Sequence, residues 1–384
     1  MQFYQEKLPC DWQCIKLKNL IKMHYGKALK AENRIQGEIP VYGSNGIVGY
    51  HNEFLWKEPT VVIGRKGSVG EANLSLSPSW TIDTAYYVEI IDNKIFDLKY
   101  FYYFSDWFDV SGISQKGVKP GINRNDYLNI ECPLPPYSEQ KRIVKKLDDL
   151  LVRIASAIEY LKDSIDQLSH LFQARLDNKF SEIAKRKTIE SLTEVKGGKR
   201  LPKGESLSDV ITPYPYIRVA DFTDQGTIDL SNIKYISREV HEQIKRYVIS
   251  KDDLYISIAG TIGKTGFVPP ELDGANLTEN AAKLVIKNKD ELDLNYLYLF
   301  TLTSDFAAQA GLATKIVAQP KLALTRLAKI EVPICSIEEQ KEIVFTIQAL
   351  KIKLYQTEKV LFSKIEELTL LKASILDGAF KGEL

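Results

Sequence analysis

The chain has no excess of charge, very little histidine and no long apolar run. Its 384 residues carry 51 lysines and arginines against 50 aspartates and glutamates, a net charge of +1. Proteins that coat nucleic acid through charge alone are lopsidedly basic, so that class is excluded; a local basic face offset by acidic residues elsewhere is not. The four histidines, His24, His51, His170 and His241, stand singly, which leaves histidine-based catalysis without support, and His170 is expected on the surface of a helix. The four cysteines, Cys10, Cys14, Cys132 and Cys335, form no Cys-x-x-Cys pair and have no histidines at metal-ligand spacing. Reduced thiols, and with them a cytoplasmic location, are expected. No run reaches the length that spans a bilayer, and the N-terminal MQFYQEKLPCDWQC holds no signal-peptide core. HExxH, a nucleophile elbow, GxGxxG and Asn-Pro-Pro-aromatic are all missing. No catalytic, metal-binding or cofactor-binding residue is assigned.

One stretch imitates a nucleotide site. SIAGTIGKTG (257–266) places Gly-Lys-Thr after the strand-like Leu254–Ile258. A phosphate-cradling loop needs G-x-x-x-x-G-K-[ST], because its amides wrap the phosphate between the two glycines. Five residues before Gly263 stands Ile258, and Phe267-Val268-Pro269-Pro270 cannot open the helix that would hold the phosphate. The stretch is expected to be a strand followed by a glycine turn, which either brings backbone close to a ligand or merely turns tightly.

What is present is a repeat. Glu139, Gln140, Lys141 and Ile143 recur 200 positions later as Glu339, Gln340, Lys341 and Ile343, and Leu176-Asp177 and Phe180 as Leu376-Asp377 and Phe380. Each copy reads as a long amphipathic helix. The first has a seam at Ile143, Leu147, Leu150, Ile154, Ile158, Leu161, Ile165, Leu168 and Phe172; the second at Ile343, Ile347, Leu350, Leu354, Leu361, Ile365, Leu368 and Ile375. Steps of three and four make a narrow stripe suited to a partner helix, and neither rod, roughly 60 Å long, buries its stripe alone. The expectation is that the two pack on each other, with Ser138 and Ser336 as N-caps.

Upstream of each helix lies a segment rich in Val, Ile, Tyr and Gly in short alternating runs, the pattern of a mixed β-rich domain. The fold class expected is α+β: two similar β-rich domains at 1–136 and 182–334, each followed by a helix, at 137–181 and 335–384. Three landmarks align between the domains. Gly26-Lys27 sits like Gly198-Lys199; Thr60–Gly70, ending Gly67-Ser68-Val69-Gly70, like Tyr255–Gly263; and Asp97–Tyr102 like Asp293–Tyr298. The run Tyr100–Phe104 with Trp107-Phe108 is expected inside, as a helix.

The stretch PVYGSNGIVGY (40–50), the Gly67–Gly70 turn, Glu139–Ile143 after a proline-rich run, and in the second half Tyr216–Asp221, Gly260–Gly263 and Glu339–Lys341 resemble the DNA-specificity subunit of a type I restriction–modification system, as does the ending SILDGAFKGEL. The similarity spans nearly the whole chain, twice. It implies two target-recognition domains separated by an antiparallel coiled coil in a pseudo-twofold arrangement. Each domain would read half of a bipartite double-stranded DNA target while the helices set the spacer. It also implies docking of two methylation subunits, which bind S-adenosylmethionine, and of an ATP-driven restriction subunit, with no cofactor in this chain and no membrane. Half-sites on one face of B-DNA lie about 34 Å apart, less than a rod's length, so either the domains lean inward or the DNA bends. The competing reading is a stand-alone two-domain DNA-binding regulator.

Phosphates are met by Lys, Arg and backbone amides, base edges by Arg, Lys, Asn, Gln, Ser or Thr in loops. The DNA-binding candidates in the first domain are Arg65, Lys66 and Ser68 on the glycine turn, and Lys116, Lys119, Asn123 and Arg124 in SQKGVKPGINRN. In the second they are Lys199, Arg200, Lys203, Arg218, Thr261, Lys264, Asn280 and Lys315. Charge reversal at Lys116 and Lys119 is expected to weaken DNA binding by the assembled complex and to lower the slope of affinity against salt; a salt titration with labelled duplex checks it.

Overall fold

Short, largely buried β-strands and two 45-residue helices form the frame of the chain. The computed structural model describes residues 8–115, 121–311 and 321–384. The chain divides into two compact units, one made of Met1–Lys162 and Leu361–Leu384, the other of Asp163–Val360. Among the described residues no helix is long and apolar enough to cross a membrane.

In unit 1 the order is β1 (Gln13–Lys16), β2 (Ile21–Tyr25), β3 (Ile39–Gly43), β4 (Gly46–His51), β5 (Thr60–Gly64), β6 (Ala72–Ser75), β7 (Trp80–Thr81), β8 (Ala85–Ile90), α1 (Leu98–Trp107), β9 (Ser114–Gln115), β10 (Gly121–Ile122), α2 (Arg124–Leu128), β11 (Glu131–Leu134) and the start of α3 (Tyr137–Ser181). Unit 2 runs β12 (Arg186–Thr188), α4 (Ile189–Leu192), β13 (Thr193–Gly197), β14 (Pro215–Ile217), β15 (Lys234–Tyr235), α5 (Arg238–Ile244), β16 (Val248–Ile249), β17 (Leu254–Ser257), β18 (Thr265–Phe267), β19 (Ala275–Leu277), β20 (Ala281–Ile286), α6 (Leu294–Thr301), α7 (Ser304–Ala310), α8 (Leu324–Ala328), β21 (Glu331–Pro333) and the start of α9 (Ile337–Lys381).

The two units share a plan. Unit 1 has an antiparallel sheet β2-β8-β5-β6 beside a sheet β4-β3-β7 whose β3–β7 pair is parallel. Unit 2 repeats this as β13-β20-β17-β18 beside β15-β14-β19-β16, with β14–β19 parallel. The aligned landmarks occupy matching places. Gly26 and Lys27 donate to the carbonyls of Ala85 and Thr81, as Gly198 and Lys199 donate to those of Ala281 and Leu277. Asp97 caps α1 by accepting from the amides of Lys99 and Tyr100, and Asp293 caps α6 by accepting from that of Tyr296. Tyr100, Phe101, Tyr103 and Phe104 are buried, so the aromatic run is core.

The long helices begin and end exactly in the register of the repeat, each 45 residues. Ser336 caps α9: its Oγ accepts from the Glu339 amide at 3.3 Å while Glu339 Oε2 accepts from the Ser336 amide at 2.9 Å, a reciprocal box. Ser138 does not cap α3. Position 336 corresponds to Pro136, whose carbonyl accepts from the amides of Glu139 and Gln140 at 2.8 and 3.0 Å, which puts Ser138 inside the first turn.

The apolar stripes meet antiparallel within each unit. In unit 1 the start of α3 (Ile143, Val144, Leu147) shares one core with the end of α9 (Leu376, Ala379, Phe380). In unit 2 the start of α9 (Val344, Ile347) shares a core with the end of α3 (Leu176, Phe180). Each helix therefore starts in one unit and finishes in the other. Phe380 packs on Tyr100, Phe104 and Trp107 with centroids 5.0–5.7 Å apart, and Phe180 on Tyr296 and Phe300 at 4.8 and 5.7 Å. Burying each such ring contributes about 2–3 kcal/mol.

Two fully buried glutamines fix where the helices begin. Gln140 accepts from the Asp97 amide at 2.9 Å and donates to the carbonyls of Ile95 and Pro135 at 2.8 and 3.0 Å. Gln340 makes the same three bonds, from the Asp293 amide and to Glu291 and Cys335, at 2.9, 2.9 and 3.0 Å. Only a neutral side chain with one acceptor and two donor hydrogens satisfies all three. Gln140→Leu is expected to cost about 2–4 kcal/mol by leaving these groups unmet. All four tryptophans, Trp12, Trp56, Trp80 and Trp107, lie in unit 1, so in denaturant titrations followed by tryptophan fluorescence the midpoint should fall more for Gln140→Leu than for Gln340→Leu.

Candidate nucleic-acid interface

In unit 1 the interface grows from the turn between β5 and β6. The amide of Gly64 donates to Glu71 O and that of Gly70 to Gly64 O, both at 2.8 Å, closing residues 64–70 into a loop. Gly67 and Gly70 take φ of +83° and +80°, a region costly to side-chain-bearing residues. The amides of Arg65 and Lys66 both donate to Thr84 O, at 2.9 and 3.1 Å, and the amide of Ile122 donates to Arg65 O at 3.1 Å. Backbone bonds on two sides thus fix the direction in which Arg65 leaves the sheet.

Its side chain lies over Tyr25, with the guanidinium carbon 5.0 Å from the ring centroid, and Arg124 lies 5.1 Å from the same ring. Tyr25, Arg65, Lys66, Thr84, Asn123 and Arg124 line an open cleft of about 690 Å³. None of Arg65, Lys66 and Arg124 forms an ion pair among the described residues. Arg124 Nε is buried without a hydrogen-bond partner among the described residues, while its Nη1 reaches Met23 O at 3.5 Å. Asn123 Oδ1 accepts from the Asn125 amide at 2.8 Å, capping α2, which leaves its Nδ2 for a ligand. Burial pushes the Tyr86 hydroxyl above its ordinary pKa, and this group donates to Ile122 O at 3.1 Å beneath the cleft. Ser68 sits half-buried on the turn; Lys116 and Lys119 lie outside the described residues.

Unit 2 repeats the turn with different chemistry. Ser257 N donates to Lys264 O at 2.8 Å and Gly263 N to Ser257 O at 2.9 Å. The residues after Gly263 enter strand β18, so Gly-Lys-Thr here belongs to a hairpin. The cationic candidates mostly have acidic neighbours. Lys264 pairs with Asp224 at 2.6 Å and Arg200 with Glu279 at 2.6 Å. Arg218 is held by buried Asp221 at 2.5 Å and by Asn232 O at 2.9 Å. Lys199 lies 5.6 Å from the Tyr247 ring, and its carbonyl accepts from the Tyr216 hydroxyl at 2.7 Å, a group whose pKa burial raises. Asn280 O accepts from the amides of Ile258 and Ala259, leaving its side chain exposed, as are Thr261 and Lys203. Lys315 lies outside the described residues.

The sequence profile of the type I restriction modification DNA specificity domain matches residues 9–166 and again 183–367. The chain belongs to this family. It is 26% identical over 392 residues to the type I restriction enzyme EcoBI specificity subunit of Escherichia coli, spanning 93% of this chain and 79% of that one. A chain from a structure of complex assembly and conformational transition of the type I R-M system aligns over 98% of this chain and 100% of its own, with a TM-score of 0.76 at 16% identity. The HsdS subunit from Thermoanaerobacter tengcongensis aligns over the full length of both chains, with a TM-score of 0.58 at 17% identity. At these identities the structural likeness carries the fold.

The sequence named residues on the turn and in SQKGVKPGINRN separately; the fold brings Arg65, Lys66, Asn123 and Arg124 to one cleft, together with Tyr25 and Thr84, which the sequence did not single out. Tyr25 directly precedes the Gly26 landmark, the one local signal that could have marked it. Position within the turn decides how a methyl group is met: a Cβ at Gly70 would lie 2.3 Å from Val110 Cγ2, whereas one at Gly67 has Ser44 Oγ at 3.6 Å and one at its counterpart Gly260, also at positive φ, meets nothing within 4 Å. Gly260→Ala is therefore expected to cost about 1 kcal/mol and Gly70→Ala about 3 kcal/mol or more, the added overpacking included; thermal unfolding of the two variants measures the gap.

Proposed function

We propose that this chain is the sequence-reading subunit of a type I restriction–modification complex. Each unit binds one half of a bipartite duplex target, and the two long helices set the unread spacer and dock methylation subunits. The observation that carries this reading is a specificity domain present twice on one plan, with unlike side chains on its matching turns: one shared scaffold and two different surfaces suit two different half-sites. The DNA contacts we assign are Arg65, Lys66, Ser68, Asn123 and Arg124 in unit 1, with Lys116 and Lys119. In unit 2 they are Lys199, Arg200, Lys203, Arg218, Thr261, Lys264 and Asn280, with Lys315. Loop-borne Lys, Arg and Asn side chains supply both phosphate and base-edge donors.

Support for partner docking comes from the helices. Phe345 and Leu370 are 74% and 71% exposed on α9, apolar side chains available to a partner. In this reading methyl transfer with S-adenosylmethionine and ATP-driven translocation reside in partner subunits, and this chain does no chemistry of its own.

Methylome sequencing with and without the gene tests the proposal: a split motif should be modified only when the chain is present. Exchanging residues 182–334 for another recognition domain should change one half of that motif and leave the other and the spacer unaltered. A motif changed in both halves, or none at all, overturns the proposal.

A further inference from the structure

The two units place different residues at one matching position, and the difference is chemical. The amides of Ile258 and Ala259 donate to Asn280 O as those of Arg65 and Lys66 donate to Thr84 O, and Leu322 N donates to Ile258 O as Ile122 N donates to Arg65 O. Arg65 therefore corresponds to Ile258, Lys66 to Ala259, Arg124 to Leu324, and Tyr25, one residue before Gly26, to Gly197. The contact itself is mirrored: a Cβ on Gly197 would lie 3.2 Å from Leu324 Cδ1, where unit 1 stacks Tyr25 on Arg124. Unit 1 thus carries two guanidinium groups braced on one half-exposed ring, and unit 2 carries aliphatic side chains and no ring.

We infer that Tyr25, Arg65 and Arg124 form a guanine-reading site in unit 1 that unit 2 lacks. The inference rests on the DNA-reading function proposed above. A guanidinium laid against an aromatic ring loses rotational freedom but keeps its in-plane N–H edge. Guanine O6 and N7 offer the matching pair of acceptors in the major groove, the commonest arginine base contact. Among the described residues neither arginine has a carboxylate partner to displace, unlike Arg200 and Arg218 in unit 2. Asp83 borders the cleft, but it is its backbone carbonyl that meets Arg65, at 3.3 Å. Tyr25 is a positioning residue: it touches both arginines and sets their planes.

The test uses the methyltransferase complex containing the full-length chain, with duplexes bearing the split motif obtained by methylation mapping. Unit 1's half is the one left unchanged by the 182–334 exchange. Guanines in that half are replaced one at a time by 7-deazaguanine, which removes the N7 acceptor and keeps base pairing. Wild type should lose roughly tenfold in affinity at one guanine. That sensitivity should vanish in Arg65→Gln, Arg124→Gln and Tyr25→Leu and persist in Tyr25→Phe, which keeps the ring. Thermal melts matching wild type establish that each variant is folded. If the arginine variants weaken all duplexes alike, and the salt slope falls by about one per arginine, the site clamps phosphate and the guanine assignment is overturned while DNA reading stands. Unaltered 7-deazaguanine sensitivity in the variants, or none in wild type that still binds the split motif, overturns it in the same way. If wild type fails to bind any split motif, the proposed function falls and this site with it.

Discussion

The two units depend on an exchange of helix ends. Phe380, at the end of a helix that starts in unit 2, is fully buried among Tyr100, Phe104 and Trp107 of unit 1, and Phe180 makes the reciprocal insertion beside Tyr296 and Phe300. A unit deprived of its incoming helix would expose an aromatic cluster, so neither β-rich body has a complete core without sequence from the far end of the other segment. Gln140 and Gln340 complement this by fixing the outgoing helix to the loop ahead of α1 or α6. Within each unit, hydrophobic burial holds the incoming helix end and a saturated polar anchor holds the start of the outgoing one.

That frame explains why the turns can diverge. The shape of each turn is set by backbone hydrogen bonds and positive-φ glycines, which make no demand on the side chains at 65, 66, 258 or 259. Residues at 65, 66 and 259 can change charge, size and hydrogen-bonding capacity without disturbing the sheet, whereas Ile258 is held in the unit 2 core. A scaffold built this way separates stability from the surface it presents: the stabilising contacts lie in the strands, α1, α6 and the rods, and the side chains at 65, 66 and 259 lie on turns that contribute little to the core.

Electrostatics divides the units further. Unit 1 gathers cations that have no carboxylate partner among the described residues around an aromatic ring, while in unit 2 Arg200, Arg218 and Lys264 each lie against a carboxylate. An exposed pair such as Arg200–Glu279 contributes little to stability and can reopen toward a phosphate. The Arg218–Asp221 pair is different: Asp221 is buried and also accepts from the Arg218 amide, so this arginine holds its own loop in shape. A near-neutral total charge therefore conceals a local cationic cleft.

Much of this was legible in the sequence because it is periodic or local. The 200-residue offset, the heptad-like stripes, the aligned Asp97 and Asp293 segments and the glycine turns all follow from spacing along the chain, and α3 and α9 run in the register the repeat demands. Ser138 was misjudged because serine near a helix start resembles a cap by composition, whereas the repeat itself assigns that place to Pro136. What only the tertiary structure decided are relations between residues distant in sequence. These are which unit each helix end completes, that Gln140 and Gln340 are buried anchors, which cations have acidic partners, and that Tyr25 stands between Arg65 and Arg124. Periodicity records the face a residue presents; the path of the folded chain determines what that face meets.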